Sequence, residues 1–355
     1  MTDSDTQSTG GLDPHRLRVG LAVAVSIGVT AGLVVALVTG GHQVFDGIRK
    51  LPLAWLALAL ALSVASWFLQ GLGFAALTTQ GVRGNLLRMT TAFLGGDFPA
   101  LVTPFGSGGI PGGVFSLTRE GLSAGEASAV IAMHSLLTGA FFVLFGAFAA
   151  LTLPLHGSGS TALVWSGFTA ILVVVGLIVW VAFRPTHATR LLGRMLASRG
   201  VARMVGHARA ERLVSAAERE AELFAVAVRM LTRERRAALA LSFFGLFMSR
   251  ICLVVTMPVI MYGLGWRGDI VPLLATAVGA MSLSIASPTP GGSGAVEVAT
   301  TALLATQAPV AIAGAATLLW RGITYYTEVL AGWIVFSRYL TMKPRTIGIA
   351  DTPEK

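Results

Sequence analysis

Charge is the scarcest property of this 355-residue chain: Asp, Glu, Lys and Arg make up only 12% of it, against 54% apolar residues. A soluble domain needs a polar skin, so this ratio excludes one and points to a chain built for lipid. Cysteine is almost absent. The single Cys252 lies in an apolar stretch, excludes an intrachain disulfide and says nothing about redox compartment. The six histidines show no metal-ligand spacing, and no nucleotide-binding loop or nucleophile–base pair at useful spacing occurs. No cofactor or metal is therefore expected, and active pumping would need ion or proton coupling.

What the chain does have is long apolar runs. Crossing about 30 Å of hydrocarbon takes roughly 20 apolar residues, and windows of that length recur throughout. Full spans are expected near 19–39, 52–78, 124–153, 161–183, 237–262 and 309–338. The first follows His15-Arg16-Leu17-Arg18 and is too long for a signal-peptide core, so it reads as a retained span. The fold class is all-α, one polytopic membrane domain over 15–340. A polar, disordered cytoplasmic tail (1–14) precedes it and a second cytoplasmic tail (341–355) follows.

Two further apolar regions, 86–118 and 269–306, are interrupted by proline and glycine. In the first, Gly95, Gly96, Asp97 and Pro99 lie in an arm of about 15 residues, which reaches only about 23 Å. The expectation is a pair of re-entrant broken-helix hairpins. Thr103-Pro104-Phe105-Gly106-Ser107-Gly108-Gly109 can be laid over Ser287-Pro288-Thr289-Pro290-Gly291-Gly292-Ser293. Counting spans makes the hairpins enter from opposite faces, as an inverted repeat around a midplane site; the alternative is two unrelated Gly/Pro-rich loops.

The formal charge of +9 raises nucleic acid as a partner, but its placement argues against it. Twelve of the 26 basic residues fall between Arg184 and Arg236, flanked by spans. That is the positive-inside pattern, and it sets both termini in the cytoplasm. Leu213, Ala217, Ala221, Phe224, Val228 and Leu231 form an apolar stripe within this segment. It reads as a helix on the cytoplasmic interface, or as a partner-binding surface.

Six ionisable residues fall where hydrocarbon should reject them: Asp97, His134, Arg250, Glu297, Arg321 and Glu328. Arg321, Tyr325 and Glu328 are spaced i, i+4 and i+7, on one helix face. Arg321 can pair with Glu297, near the third position of the helix after Gly294. Glu297 reads either as a helix-capping carboxylate or as part of a site, and Arg321–Glu328 either as a structural ion pair or as part of the same site. Half-helices beginning near Gly113 and Gly294 aim free N–H groups at the bilayer centre, where anions are favoured. With Arg250 and Arg321 they suit a phosphate-bearing head group, while Glu297, Glu328 and Asp97 could contact an ammonium or exchange protons. His134 reads as a satisfied core or wall residue.

Pro-Thr-Pro-Gly-Gly-Ser-Gly-Ala-Val-Glu (288–297) with Trp320-Arg321-Gly322-Ile323-Thr324-Tyr325-Tyr326 resembles the lysylphosphatidylglycerol synthase transmembrane family. Pro111-Gly112-Gly113 and Arg119-Glu120-Gly121-Leu122-Ser123 resemble its amino-terminal motif, and the likeness covers roughly 85–340. The resemblance implies functional positions at the 288–297 break (Pro290, Gly291 and Gly292), at Glu297 and Arg321, and more loosely at Gly112, Gly113 and Arg119. In multidomain members this region resembles a flippase for aminoacylated phosphatidylglycerol. The chain stops at Lys355 without room for the soluble transferase domain, which favours lipid transport over synthesis and implies a non-enzyme.

The sequence reading is thus a lipid flippase in a prokaryotic plasma membrane. Its partner would be an anionic or aminoacylated phospholipid or a glycolipid, and homo-oligomerisation is left open. Two alternatives stand beside it, a secondary transporter or channel for a small anion and a membrane enzyme of lipid modification.

Overall fold

In the computed structural model, residues 51–78, 86–152 and 236–342 are described, together with a few isolated positions. The spans expected at 19–39 and 161–183, the tails and nearly all of the Arg-rich segment fall outside the described residues. Every described element is helical. In chain order they are α1 (Leu53–Leu77), α2 (Leu86–Val102), α3 (Gly109–Arg119), α4 (Ala124–Thr152), α5 (Arg236–Gly263), α6 (Ile270–Ala286), α7 (Ala295–Ala305), α8 (Val310–Arg321) and α9 (Thr327–Thr341). Short 3-10 turns at Pro104–Gly106 and Pro290–Gly292 break the chain between α2 and α3 and between α6 and α7. A π-helical turn, Gly322–Tyr326, joins α8 to α9.

The packing departs from that of a soluble helix. On α1 most buried positions are small or polar, including Ser63, Ser66, Gln70, Gly71 and Gly73, with Phe74 and Leu77 buried at its end. Its large apolar side chains point outward, as at Leu53, Leu58, Leu60 and Val64. Without a hydrophobic drive between helices in lipid, small residues let backbones approach and dispersion holds them. A Cβ on Gly245 of α5 would lie 2.7 Å from the Leu69 carbonyl oxygen of α1, so contact there depends on glycine. Among the described residues, α1, α4 and α5 are each long and apolar enough to cross a membrane.

The two halves share an order of elements. A long helix leads into a 17-residue arm, a three-residue 3-10 turn and an 11-residue arm in each case, α2 to α3 and α6 to α7. The turns share their backbone: Phe105 (φ 55°, ψ 19°) matches Gly291 (φ 57°, ψ 17°). This corrects the expected register. Thr103–Gly106 corresponds to Thr289–Gly292, two residues later than the motif overlay, because Ser287 and Pro288 form an extra extended step after α6.

The leading helices α1 and α5 run antiparallel: Gly263 meets Leu51 and Trp55 at one end, while Gly73 meets Ser242 toward the other. Each first arm packs on the last helix of the other half, α2 on α9 and α6 on α4. The hairpin tips touch, with the Phe105 N–H donating to the Ser287 carbonyl at 3.1 Å.

Candidate functional site

The tip of the second hairpin is built around Arg321. Its Nε donates to Glu297 Oε1 at 2.8 Å, and its NH2 donates to the Gly291 carbonyl at 2.9 Å. The other Glu297 oxygen accepts the Gly294 N–H at 2.7 Å, closing the free start of α7. Ser284 Oγ donates to the same Gly291 carbonyl at 2.9 Å. The guanidinium carbon stands 3.9 Å from the Tyr325 ring centroid, and Tyr325 donates its hydroxyl to the Leu101 carbonyl of the first hairpin at 2.9 Å. Glu297 is 1% and Arg321 3% exposed. Both readings of Glu297 thus meet in one side chain, a helix cap and the partner of Arg321.

Gly291 and Gly292 are conformational necessities in this latch. Both have positive φ, and a Cβ on Gly291 would sit 2.2 Å from the Tyr325 hydroxyl oxygen. Pro290 opens the 3-10 turn at its first position, where a missing N–H costs nothing.

Directly after Arg321, the π turn breaks the spacing read from sequence. A π turn adds one residue to the helical circuit, so Glu328 leaves the face that carries Arg321. No ion pair joins the two. The turn's Ile323 carbonyl instead accepts Ser63 Oγ of α1 at 2.9 Å, and Trp320 Nε1 reaches the Leu253 carbonyl of α5 at 3.5 Å.

Those two bonds set α1, α5 and the π turn side by side, and one helical turn further on lies a second charged group. It comprises Arg250 of α5, Glu328 of α9, Asp97 of α2 and His134 of α4. Arg250 is within electrostatic range of Asp97, Glu328 and His134. Helices α2 and α9 are antiparallel here: Tyr339 approaches Thr91, Gly332 approaches Leu94 and Phe98, and Tyr325 bonds Leu101. Glu328 therefore lies across from the turn carrying Asp97. Among the described residues none of these four forms a direct ion pair with another.

Arg250 Nε is buried without a hydrogen-bond partner, and its guanidinium carbon sits 5.9 Å from the Phe142 ring centroid. Gln70 Nε2, Ser249 Oγ, Trp67 Nε1 and Thr138 Oγ1 are likewise buried and unpartnered. His134 is satisfied, 2.8 Å from Gln70 Oε1 through Nε2 and edge-on to Phe74 at 4.9 Å.

The first motif plays another part. Helix α3 starts at Gly109, four residues before the expected Gly113. A Cβ on Gly112 would lie 2.6 Å from the Gly96 carbonyl oxygen, so it holds the hairpin arms close, and one on Gly113 would lie 2.4 Å from Ile131, so it seats the hairpin on α4. Arg119 stacks 4.9 Å from Phe115 and donates to the Met342 carbonyl at 2.8 Å, pinning the end of α9. Beside it Glu120, 3% exposed, takes Arg88 Nε at 2.9 Å and the Tyr339 hydroxyl at 2.8 Å. Arg119, Gly112 and Gly113 thus secure the hairpin, and the structure does not bring them to the Arg250 group.

Sequence reasoning missed Gln70, Trp67, Ser249 and the Arg88–Glu120–Tyr339 clamp. Gln70 carried a usable signal as a lone amide in the apolar run 52–78. Arg88 gave none, since a charge at the end of an apolar arm is ordinary, and Glu120 stands in the amino-terminal motif without anything in the sequence that pairs it with Arg88.

Comparison with known proteins places this geometry in a lineage. A family model described as the lysylphosphatidylglycerol synthase TM region matches residues 19–332, beginning well before the motif-bearing part. A UPF0104 membrane protein of Archaeoglobus fulgidus is 26% identical over 320 residues, which cover 88% of this chain and 94% of that protein.

Proposed function

Because the chain belongs to the lysylphosphatidylglycerol synthase TM region family, a family of membrane proteins, we propose that it carries a phosphate-bearing polar lipid between membrane leaflets, with Arg250 receiving the head group. One observation carries the reading: a guanidinium inside a helix bundle whose Nε–H meets no protein acceptor. An unmatched charged donor at membrane depth costs several kcal/mol, so it persists where a ligand or water completes it. On the helices packed with α5, the donors Gln70 Nε2 and Trp67 Nε1 of α1 and the Thr138 hydroxyl of α4 are also buried without partners, as is the hydroxyl of Ser249, the residue before Arg250. A group rich in acceptors and poor in donors, such as a phosphodiester, complements that set.

The antiparallel α1 and α5, the matched turns and the exchanged packing of α2 and α6 support reading the halves as an inverted repeat. Such a repeat has two arrangements of similar energy, each opening the shared site to one side. The Glu297–Arg321 latch then belongs to the scaffold that holds the second hairpin broken, and the cargo site shifts from Arg321 to Arg250. Glu328 and Asp97 border it, His134 walls it, and Tyr325 joins the hairpin tips.

The test is lipid retention. Mass spectrometry of the protein released gently from membranes should find phosphate-bearing lipid on the wild type and little on Arg250→Ala. Equal retention by both would remove Arg250 from the site. Flux of inorganic phosphate through protein-containing vesicles without lipid movement would instead favour the anion-channel alternative.

A further inference from the structure

Resting on the phosphate-site reading, we infer that the Asp97–Arg250–Glu328 group binds a proton together with its anionic cargo, so that phosphodiester and proton occupy the site as a unit. The argument is charge balance at a place where Glu328 and the Nε of Arg250 are buried and Asp97 is half-buried. Two carboxylates and one guanidinium, brought from α2, α9 and α5, sum to one negative charge when all are ionised. Asp97 and Glu328 also stand within range of each other, so each opposes the other's charge. A phosphodiester arriving at Arg250 would raise the deficit to two negative charges around a single cation. Low-dielectric surroundings make that arrangement costly. A proton on one carboxylate restores the former balance and also turns that acid into a hydrogen-bond donor for a phosphoryl oxygen.

Of the other cations on these elements, Arg88 of α2 is held by Glu120 and Arg236 of α5 is exposed, while a proton on the second ring nitrogen of His134 is the rival that the double variant below separates. Helix α1 contributes no titratable side chain among its described residues, only Trp67 and Gln70. Helix α3 brings Arg119, which is engaged with the Met342 carbonyl at the far end of the hairpin. Helix α4 brings His134, whose Nε2 is committed to Gln70. From α7, α8 and the π turn come Glu297 and Arg321, matched to each other at 2.8 Å, with Tyr325 and Tyr326 beside them. On α9, Arg338 is exposed and Tyr339 is bonded to Glu120.

Arg250 Nε has no protein acceptor, and among the described residues neither carboxylate has a cation within ion-pair distance. Anion and proton together complete both. The balance is simple bookkeeping of charge, with no bond broken except the O–H of whichever donor in solvent releases the proton.

The experiment measures proton uptake on binding. The full chain in uncharged maltoside micelles is titrated with short-chain phosphatidylglycerol, and separately with glycerophosphoglycerol as the free phosphodiester, by calorimetry in two buffers of different ionisation enthalpy. The inference expects about one proton taken up per anion bound, and affinity that weakens by up to about tenfold for each unit rise in pH. Because uptake is read on the wild type, it does not depend on a variant folding.

The isosteric double variant Asp97→Asn, Glu328→Gln should bind the same probe with no uptake and an affinity independent of pH. Binding without uptake by the wild type, or pH dependence surviving in the double variant, overturns the inference. Lipid transfer in vesicles that proceeds without uptake sinks only this step. Absence of both binding and transfer sinks the phosphate-site reading and this inference with it. Uptake with the lipid alone assigns the site to head groups, and uptake with both probes assigns it to the phosphodiester itself.

Discussion

Two arginines inside the same bundle meet opposite fates. Arg321 has its fork filled by Glu297 and the Gly291 carbonyl and its face covered by Tyr325. Removing one member of such a buried pair leaves the other uncompensated, so Arg321→Ala or Glu297→Ala should each destabilise the fold by about 3–5 kcal/mol. The double variant should cost less than the two losses added together. Arg321→Lys should rescue poorly, because an ammonium cannot span two acceptors with the planar geometry of guanidinium. Thermal unfolding in micelles checks all of these, and a Lys variant as stable as wild type would contradict the latch. Arg250, with Nε free of any protein acceptor, should behave differently. Arg250→Ala should lower lipid transfer by about a hundredfold or more, the worth of a charge-assisted contact in a dry site, while unfolding at a temperature closer to wild type than Arg321→Ala does.

At the scale of elements, the hairpins stand or fall with a few glycines. Gly291→Ala combines a left-handed backbone with a Cβ 2.2 Å from the Tyr325 hydroxyl, and should loosen the contact between the tips as well as destabilise the fold. Gly106→Ala, in the other turn at the position that corresponds to Gly292, is the control for backbone strain: its φ is +63° with nothing within 4 Å, so only strain of about 1 kcal/mol remains. Unfolding midpoints of the pair measure the difference, and equal losses would show that the crowding at Gly291 is unimportant. The broken arms were legible in the sequence because Pro99, Pro104, Pro288 and Pro290 sit among glycines in apolar runs. Their register was not. Proline and glycine announce a break without counting the extended residues around it, and Ser287-Pro288 slipped the overlay by two. The π turn was equally hidden: its Ile323 carbonyl takes a bond from Ser63 of another helix. Local pattern cannot see that partner. The pairing of Arg321 with Glu297 was readable from charge economy, whereas the grouping of Asp97, Arg250 and Glu328 needed three helices to be placed first.

On the scale of the whole molecule, the described helices bury apolar clusters such as Phe141, Leu246, Met257 and Leu304, and also expose large apolar side chains on their outer faces, as lipid allows. Between α1 and α5, glycine and serine let the two backbones approach closely. Gly245→Leu, which would drive a side chain into the Leu69 carbonyl, should separate those helices and reduce the amount of inserted, folded protein by well over half, read by fluorescence size exclusion. Normal yield and elution would mean that the α1–α5 contact is dispensable.

The central claim is that Arg250 accepts a phosphate head group and hands it across. Vesicles reconstituted with equal amounts of correctly inserted wild type or Arg250→Ala, and doped with a head-group-labelled phospholipid, can be exposed to an impermeant quencher. The account predicts that label in the inner leaflet becomes reachable with wild type and stays protected with the variant. Equal loss of signal from both preparations would contradict it.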